Sequence, residues 1–368
     1  MHQTKTRNLA RRIHRGRQLW AASFRRFREG WAIFAQNRIA AAGLVLLAFF
    51  ILLPAVYPVL RATAWNTRMY DPSTGFDQGS APHPAPPSWI PAEWLAPENT
   101  HRFDRNRPSF DHFLGTDTLG RDVLSVLLAS TISSSIVGVT AALTTAVVGT
   151  LIAAYSAFYR GLVDSIFSHL SDAFLLLPPP IFMIAVGAFL RSQNTSLSEL
   201  AYRQLTGSGL SDAAATILQP AEFGIIYGII AGAGGAAIVL RSHGIKVMSL
   251  SFIEASRVAG ASGRHIIWRH LIPHMMPLAS VYMLVAVTGA VVADGFLAFL
   301  GINPTLLNWG TMIYYAFAYQ GINQIIPWNA LIAPAIIISL FAATFYMISR
   351  GLLQVFEPRL RDDYNGRK

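Results

Sequence analysis

Apolar positions in this chain run together in blocks and do not alternate with polar ones. No Asp, Glu, Lys or Arg occurs in the 37 residues between Asp122 and Arg160, nor in the 55 between Asp294 and Arg350. Residues 39–60 give a further 22 without a charge. A bilayer core needs about 20 apolar residues per helical crossing. Blocks of this length predict membrane spans and their buried re-entrant connections. Six are expected: a first helix at 38–60, then stretches within 127–158, 163–190, 223–240, 275–292 and 328–349. The predicted fold class is an all-α polytopic membrane protein with six transmembrane helices. An even number of crossings puts both termini on one side.

Composition agrees with that reading. Hydrophobic residues make up 53% of the chain and charged residues 13%, against about 25% charged in an ordinary soluble domain. Soluble enzyme, disordered protein and disulfide scaffold all fit poorly. Cysteine is absent, which excludes disulfides, thiolate metal sites and a cysteine nucleophile. The net charge of +10 would suggest nucleic acid in a soluble protein. Here it is read by position, because basic loops orient membrane proteins, and no nucleic-acid partner is expected.

Residues 1–38 hold ten Lys/Arg and one acid, 241–274 five and one, and 350–368 five and three. Residues 61–122 hold six basic and eight acidic, and 191–222 two and three. The basic segments are the ones a six-span arrangement places together, so both termini are expected in the cytoplasm. A signal peptide is the competing reading of the N-terminus. Against it stand the 38-residue leader and the lack of a small-x-small cleavage site after Pro54 and Pro58.

This gives a cytoplasmic amphipathic segment at 1–37, the first helix at 38–60 and an extracytoplasmic lobe at 61–122. A core at 123–350 and a cytoplasmic tail at 351–368 follow. In the first segment Trp20, Phe24, Phe27, Trp31 and Phe34 recur at spacings of four and three, with Arg25, Arg26 and Arg28 between them. That pattern fits a helix lying on the lipid bilayer; a basic nucleic-acid arm is the alternative. The lobe carries Pro82, Pro84, Pro86, Pro87, Pro91 and Pro97, which predicts extended structure there.

Between the fourth and fifth spans lies a short amphipathic stretch. Phe252, Ala255, Val258 and Ala259 fall on one helical face, Glu254 and Arg257 on another. Gly260 permits a sharp exit and Pro273 can begin the next helix. Periodicity alone does not decide whether the apolar face meets lipid or a cytosolic partner.

Glu254-Ala255-Ser256, with Gly260 four residues on and Arg269-His270-Leu271-Ile272-Pro273 beyond, resembles the EAA loop of permease subunits in binding-protein-dependent ABC importers. That loop spans 251–273 here, with Ser256 in place of the second Ala, His270 of an Ile and Ile272 of a Leu. Three further stretches are similar to the C-type permease of the dipeptide/oligopeptide branch. They are Gly115-Thr116-Asp117 through Gly120-Arg121-Asp122 before the second helix, Asp164, Asp172 and Pro178 in the third, and Asp294 through Gly301 followed by Asn308-Trp309-Gly310. The tail Phe356 through Leu360 resembles the same family's ending.

The resemblance implies a type I ABC importer permease fold. Its EAA helix, through Phe252, Glu254, Ala255, Ser256, Arg257, Gly260 and Pro273, would dock on an ATP-hydrolysing subunit. Implied partners are a second, B-type permease subunit, two ATP-binding subunits and an extracytoplasmic substrate-binding protein; the implied substrate is a peptide. This chain would bind no cofactor, ATP and Mg residing on the partner subunits. Its own Gly232-Ala233-Gly234-Gly235 lacks the Gly-Lys-Ser/Thr of a phosphate loop. The stripe Gly224, Gly228, Gly232 reads instead as helix packing.

Metal binding is not expected at His265, His270 and His274, which lack a carboxylate cluster. Asp172 and Asp294, ionisable groups at membrane depth, are read as architectural. The apolar stretch after Asp294 is too long for a turn and too apolar for an aqueous loop. It is expected to fold back over the pore mouth, partly buried in the bundle, with Trp309, Tyr314 and Tyr315 near the interface. Asn303, Thr305, Asn308 and Trp309, together with the 61–122 lobe, are then candidates to face the receptor. Two other classes compete: an intramembrane enzyme, which would need a compact catalytic motif, and a stand-alone channel or carrier, which would need no cytosolic docking helix.

Overall fold

The computed structural model describes residues 34–66, 69–73, 87, 112–176, 178–192, 196–209, 211–302, 307–318 and 328–356. Residues 1–33 of the N-terminal amphipathic segment, most of the 61–122 lobe, Asn303, Thr305 and the tail from 357 onward lie outside the described residues. Phe34, expected on the bilayer with the other aromatics of that segment, is buried instead against Ala40 and Ile348 of its own chain. Among the described residues the regular elements are helices, apart from one isolated bridge pairing Thr116 with Asp122.

Five helical stretches are long and apolar enough to cross a bilayer: Arg38–Thr63, Val123–Tyr159, Ala214–Met248, Gly263–Phe299 and Trp328–Leu353. The first, α1 (Arg38–Thr63), starts where the Asn37 side chain accepts from the backbone N–H groups of Ile39 and Ala40 at 2.9 and 3.2 Å, a standard N-cap. The second, α2 (Val123–Tyr159), is 37 residues, or about 55 Å at 1.5 Å per residue. That exceeds a hydrocarbon core of about 30 Å, so α2 projects beyond the bilayer.

The expected third span is not one rod. It is two helices, α3 (Leu162–Leu176) and α4 (Pro179–Ser192), whose axes bend by 91°. Pro178, Pro179 and Pro180 explain the break. Each proline lacks a donor and disfavours helical geometry in the residue before it.

Beyond the short α5 (Leu197–Thr206), the fourth span is assembled from α6 (Asp212–Ala231), a π-like turn (Gly232–Ala236) kinked at Gly234, whose φ −85° and ψ −114° are not helical, and α7 (Ala237–Met248). The short α8 (Ser251–Val258) follows. The fifth span combines α9 (Gly263–Ile266), a second π turn (Ile267–Leu271) and α10 (Ile272–Phe299). Then come α11 (Trp309–Ala318) and α12 (Trp328–Phe356). The fifth helix thus starts at Gly263, ten residues before Pro273, which correctly reads as an interior residue and not a helix start. The π turn explains how Pro273 is tolerated: Ile272 N–H bonds to Ile267 C=O, five residues back. This wider winding just upstream accommodates a ring that an unbroken α-helix resists.

Close glycine contacts fix the direction of each helix. Gly224 sits against Val137–Ala141 of α2, Gly228 against Ala141 and Thr144, Gly232 against Thr145 and Gly149, and Gly244 against Ala157. Residue numbers rise together, so the fourth span runs parallel to α2. Two parallel spans require a return crossing between them, and α3–α4 supplies it. This pair begins at Asp164 beside Ser156 and Arg241, passes Gly234 at Phe174, and ends where Gly187 meets Leu297 and Ile302. The bent pair is therefore a broken span.

The fifth span runs back, with Met275 at Gly244 and Gly289 at Tyr227. α12 lies antiparallel to α1, pairing Ile348 with Gly43 and Gly351 with Ala40. Six crossings result. One end of the bundle, here the proximal end, carries Arg38, Tyr159, α8 and the end of α12. The distal end carries Thr63, Asp122, α5, α11 and Trp328.

Candidate functional site

At the proximal end, α8 hangs between two long spans by two side chains. Ile253 is fully buried in a cluster with Val247, Met248, Ile266, Ile267 and Leu271. Phe252 packs beside that cluster and stacks on His274, ring centroids 5.0 Å apart, with His270 at 5.9 Å. Phe252 therefore faces its own chain, not outward with Ala255, Val258 and Ala259 as the helical wheel suggests. The outward face consists of Glu254, Ala255, Arg257, Val258 and Ala259, and Val258 is 90% exposed.

The helix stops at a Schellman motif: Ala261 N–H bonds to Ser256 C=O at 3.0 Å and Gly260 N–H to Arg257 C=O at 2.9 Å. Gly260 adopts φ +79°, the left-handed conformation such a cap requires. Ser256 turns its hydroxyl inward to the Phe252 carbonyl at 2.8 Å. Ser262 then caps α9, accepting from His265 N–H at 3.3 Å. The Arg257 guanidinium stands 6.0 Å over the Phe158 ring. The same ring touches the position a Gly263 Cβ would occupy, at 2.9 Å. The connector between α8 and the fifth span is thereby keyed to the end of α2.

The distal end is built differently. Asp117 and Arg121 are each 5% exposed and Asp122 1%. The Asp117 carboxylate accepts from the backbone N–H groups of Leu119 and Arg121, both at 2.9 Å, and from Arg121 Nε at 2.7 Å. Asp122 caps α2 through Ser125 N–H at 2.7 Å, and its other oxygen meets His112 Nδ1 at 3.1 Å. Gly115 and Gly120 adopt φ +78° and +75°, which lets the loop fold tightly enough for Val123 N–H to reach Gly115 C=O at 3.0 Å.

This loop is clasped from two sides. The Thr118 hydroxyl donates to Tyr315 C=O at 3.1 Å and the Arg121 guanidinium lies 4.7 Å over the Tyr315 ring. Asn329 Nδ2 donates to Leu114 C=O at 2.7 Å. The signature residues Gly115, Thr116, Asp117, Gly120, Arg121 and Asp122 therefore tie α2 to α11 and α12.

Asn308 and Trp309 belong to the same buried end. Asn308 is fully buried, donating from Nδ2 to Asp294 Oδ2 at 3.1 Å while its Oδ1 accepts from Thr311 N–H at 2.7 Å. The Trp309 indole donates to Leu127 C=O at 3.2 Å and packs edge-on against Phe50 and Phe341. These two are corrected as receptor-facing candidates: their polar atoms are consumed inside the bundle and offer no surface.

The family described as "binding-protein-dependent transport system inner membrane component" matches residues 146–362, more than half of the chain. The chain belongs to that family. Its members are inner-membrane transport components working with ATPase and substrate-binding partners, so the chain is a transporter component and not an enzyme. The dipeptide transport system permease protein DppC of Bacillus subtilis (strain 168) is 27% identical over 337 residues, 90% of this chain and 86% of that one. The glutathione transport system permease protein GsiD of Escherichia coli O6:K15:H31 is 27% identical over 277 residues, 73% and 81% of the two chains. GsiD of Pectobacterium atrosepticum is 26% identical over 277 residues, 73% of this chain and 82% of that one.

Within this permease, the Gly224, Gly228, Gly232 stripe lies directly on α2. A Cβ at Gly224 would stand 2.0 Å from Thr140 Oγ1, and at Gly228 2.7 Å from Ala141 C=O. Small residues permit such backbone approach between membrane helices. Asp172 is exposed and lines a cavity of about 110 Å³ together with Ser156, Ser168, Ser171 and Arg241.

Two functional contacts went unnoticed in the sequence. Arg241 pairs bidentately with Asp164, Nη2 to Oδ2 at 2.6 Å, and Ser156 joins them. In the sequence Arg241 counts with the basic 241–274 segment; the continuation of the fourth span to Met248 is what makes it a charge in need of a partner. Asn329 had no comparable signal.

Proposed function

We propose that the chain is one of two permease subunits of an ABC importer for short peptides, coupled to an ATP-hydrolysing subunit through α8. The observation that carries this is the construction of α8. A short helix is anchored by Ile253 and Phe252, closed by a Gly260 cap, and presents Glu254, Ala255, Arg257, Val258 and Ala259 outward. Small Ala255 admits close approach, Val258 supplies apolar area, and Glu254 and Arg257 can pair with charges across an interface. The peptide class is supported by the dipeptide and glutathione permeases among the relatives.

The proximal end faces the cytoplasm in this reading, because it carries the basic segments 1–38, 241–274 and 350–368. The partners are a homologous second permease, two ATP-binding subunits that hold ATP and Mg, and an extracytoplasmic receptor that meets the distal end. Closure of the ATPases displaces α8, and the displacement passes through Arg257, Phe158 and Gly263 into α2 and the fifth span.

The test is transport and ATP hydrolysis by the reconstituted complex. Gly260→Pro fixes φ near −65° where +79° is needed, so transport should be lost while membrane insertion persists. Normal transport by this variant, or substrate-stimulated hydrolysis without this chain, would refute the assignment.

A further inference from the structure

The helix α5 (Leu197–Thr206) has no buried residue and no role in the coupling scheme above. It is nonetheless well built. Ser196 caps it through Glu199 N–H at 3.1 Å. Gly207, at φ +72°, closes it, its N–H bonded to Arg203 C=O at 2.9 Å. A salt bridge links Glu199 and Arg203 at 2.8 Å. The helix is also pinned to the fourth span: Glu222 of α6 accepts from the N–H groups of Leu197 and Ser198 at 3.0 and 2.9 Å.

At 100° per residue, Leu197, Leu200, Ala201 and Leu205 fall on one face, with only Gln204 intruding. Ser198, Glu199, Tyr202, Arg203 and Thr206 fall on the other. The leucines are exposed, Leu205 by 86%. An ordered helix with an uncovered leucine face requires an occupant.

We propose that α5 is an interfacial helix lying on the distal leaflet of the bilayer, its leucine face in the acyl boundary and its Glu199–Arg203 face in water. Continuity with the membrane-spanning surface selects lipid as that occupant. The helix begins five residues after Ser192, where the broken span ends, and five residues separate its last residue from the start of α6. Both of its neighbours are thus at the distal membrane boundary. Glu222 holds its first turn against α6, whose own Ile217, Ile225 and Ile229 are exposed. Amphipathic helices with this division of residues sit in the interface plane. The anchor would hold the start of the fourth span, and with it the Gly224–Gly232 seam, at a fixed depth.

The chain has no native cysteine, so single cysteines at 197, 200, 205, 199 and 203 can carry an environment-sensitive fluorophore in the full complex in liposomes, without receptor. Probes at 197, 200 and 205 should emit at shorter wavelength, resist aqueous iodide and be quenched by headgroup-labelled lipid. Probes at 199 and 203 should show the reverse. Equal iodide quenching at all five positions overturns the proposal. So does iodide shielding of the leucine positions without quenching by headgroup-labelled lipid, which assigns the face to the second permease, or shielding only after receptor is added. Glu222→Gln should free the first turn and raise probe mobility at 197. None of these readouts depends on transport, so they remain decisive if the coupling role of α8 fails.

Discussion

The two ends of the bundle solve opposite problems. At the distal end, Asp117, Arg121, Asp122, Asn308 and Trp309 are buried, and hydrogen bonds from Thr118, Trp309 and Asn329 join the start of α2 to α11 and α12. At the proximal end α8 is only eight residues long, held by Ile253 and Phe252, flanked by Gly260 at positive φ and followed by a π turn. A buried, fully bonded polar network resists rearrangement because every alternative leaves a group unpaired. A short helix followed by a glycine cap and a π turn has few such restraints. The difference teaches that this permease is braced where the α2 signature lies and compliant where α8 meets its partner.

Removing the brace should have the largest effect. Asp117→Ala leaves the Arg121 guanidinium buried without its carboxylate. Breaking one partner of a buried pair costs about 3–5 kcal/mol, a large part of a typical stability of about 5–15 kcal/mol. Thermal unfolding of the detergent-purified protein should show a pronounced fall in Tm; an unchanged Tm would mean the distal end is not a brace.

Gly310→Ala probes the same end by packing. Its Cβ would fall 2.3 Å from the Gly295 carbonyl oxygen, so α11 must move away from α10. Overpacking of this kind costs about 1–3 kcal/mol, a smaller Tm loss than Asp117→Ala in the same assay.

Glu254→Lys should be the mildest for stability, within about 0.5 kcal/mol as for other exposed positions, because Glu254 is exposed on α8. Its effect should appear in coupling, as ATP hydrolysis without proportionate transport. A variant that is both stable and fully coupled would remove Glu254 from the docking face.

Much of this was legible in the sequence, and the misreadings have physical causes. Long apolar blocks located the spans, charge-free except for Asp164 and Asp172 in the third, because lipid leaves helices few alternatives. The bend in the third span was implicit in Pro178, Pro179 and Pro180 but masked by the apolar run on either side. Pro273 looked like a helix start because a π turn upstream, which has no sequence signature, makes room for it inside a helix. The wheel placed Phe252 outward with Ala255 and Val258, since periodicity assigns faces without saying which one the rest of the chain covers. Asn308 and Trp309 read as receptor-facing in the sequence because they follow an apolar connection that folds back at the pore mouth. Their burial depends on Asp294 and on Leu127 C=O, contacts 14 and 182 residues away in sequence.

The claim that α8 is the coupling element is tested most directly by crosslinking. Single cysteines at Val258 and, for contrast, at Thr118 of the distal clasp would be introduced into the complex in liposomes and treated with a short cysteine-to-lysine crosslinker. Position 258 should capture an ATP-binding subunit, with a yield that changes on adding ATP, and position 118 should capture none. If 258 never reaches an ATP-binding subunit while the complex still transports, α8 is not the coupling helix and the proximal end must meet its ATPase elsewhere.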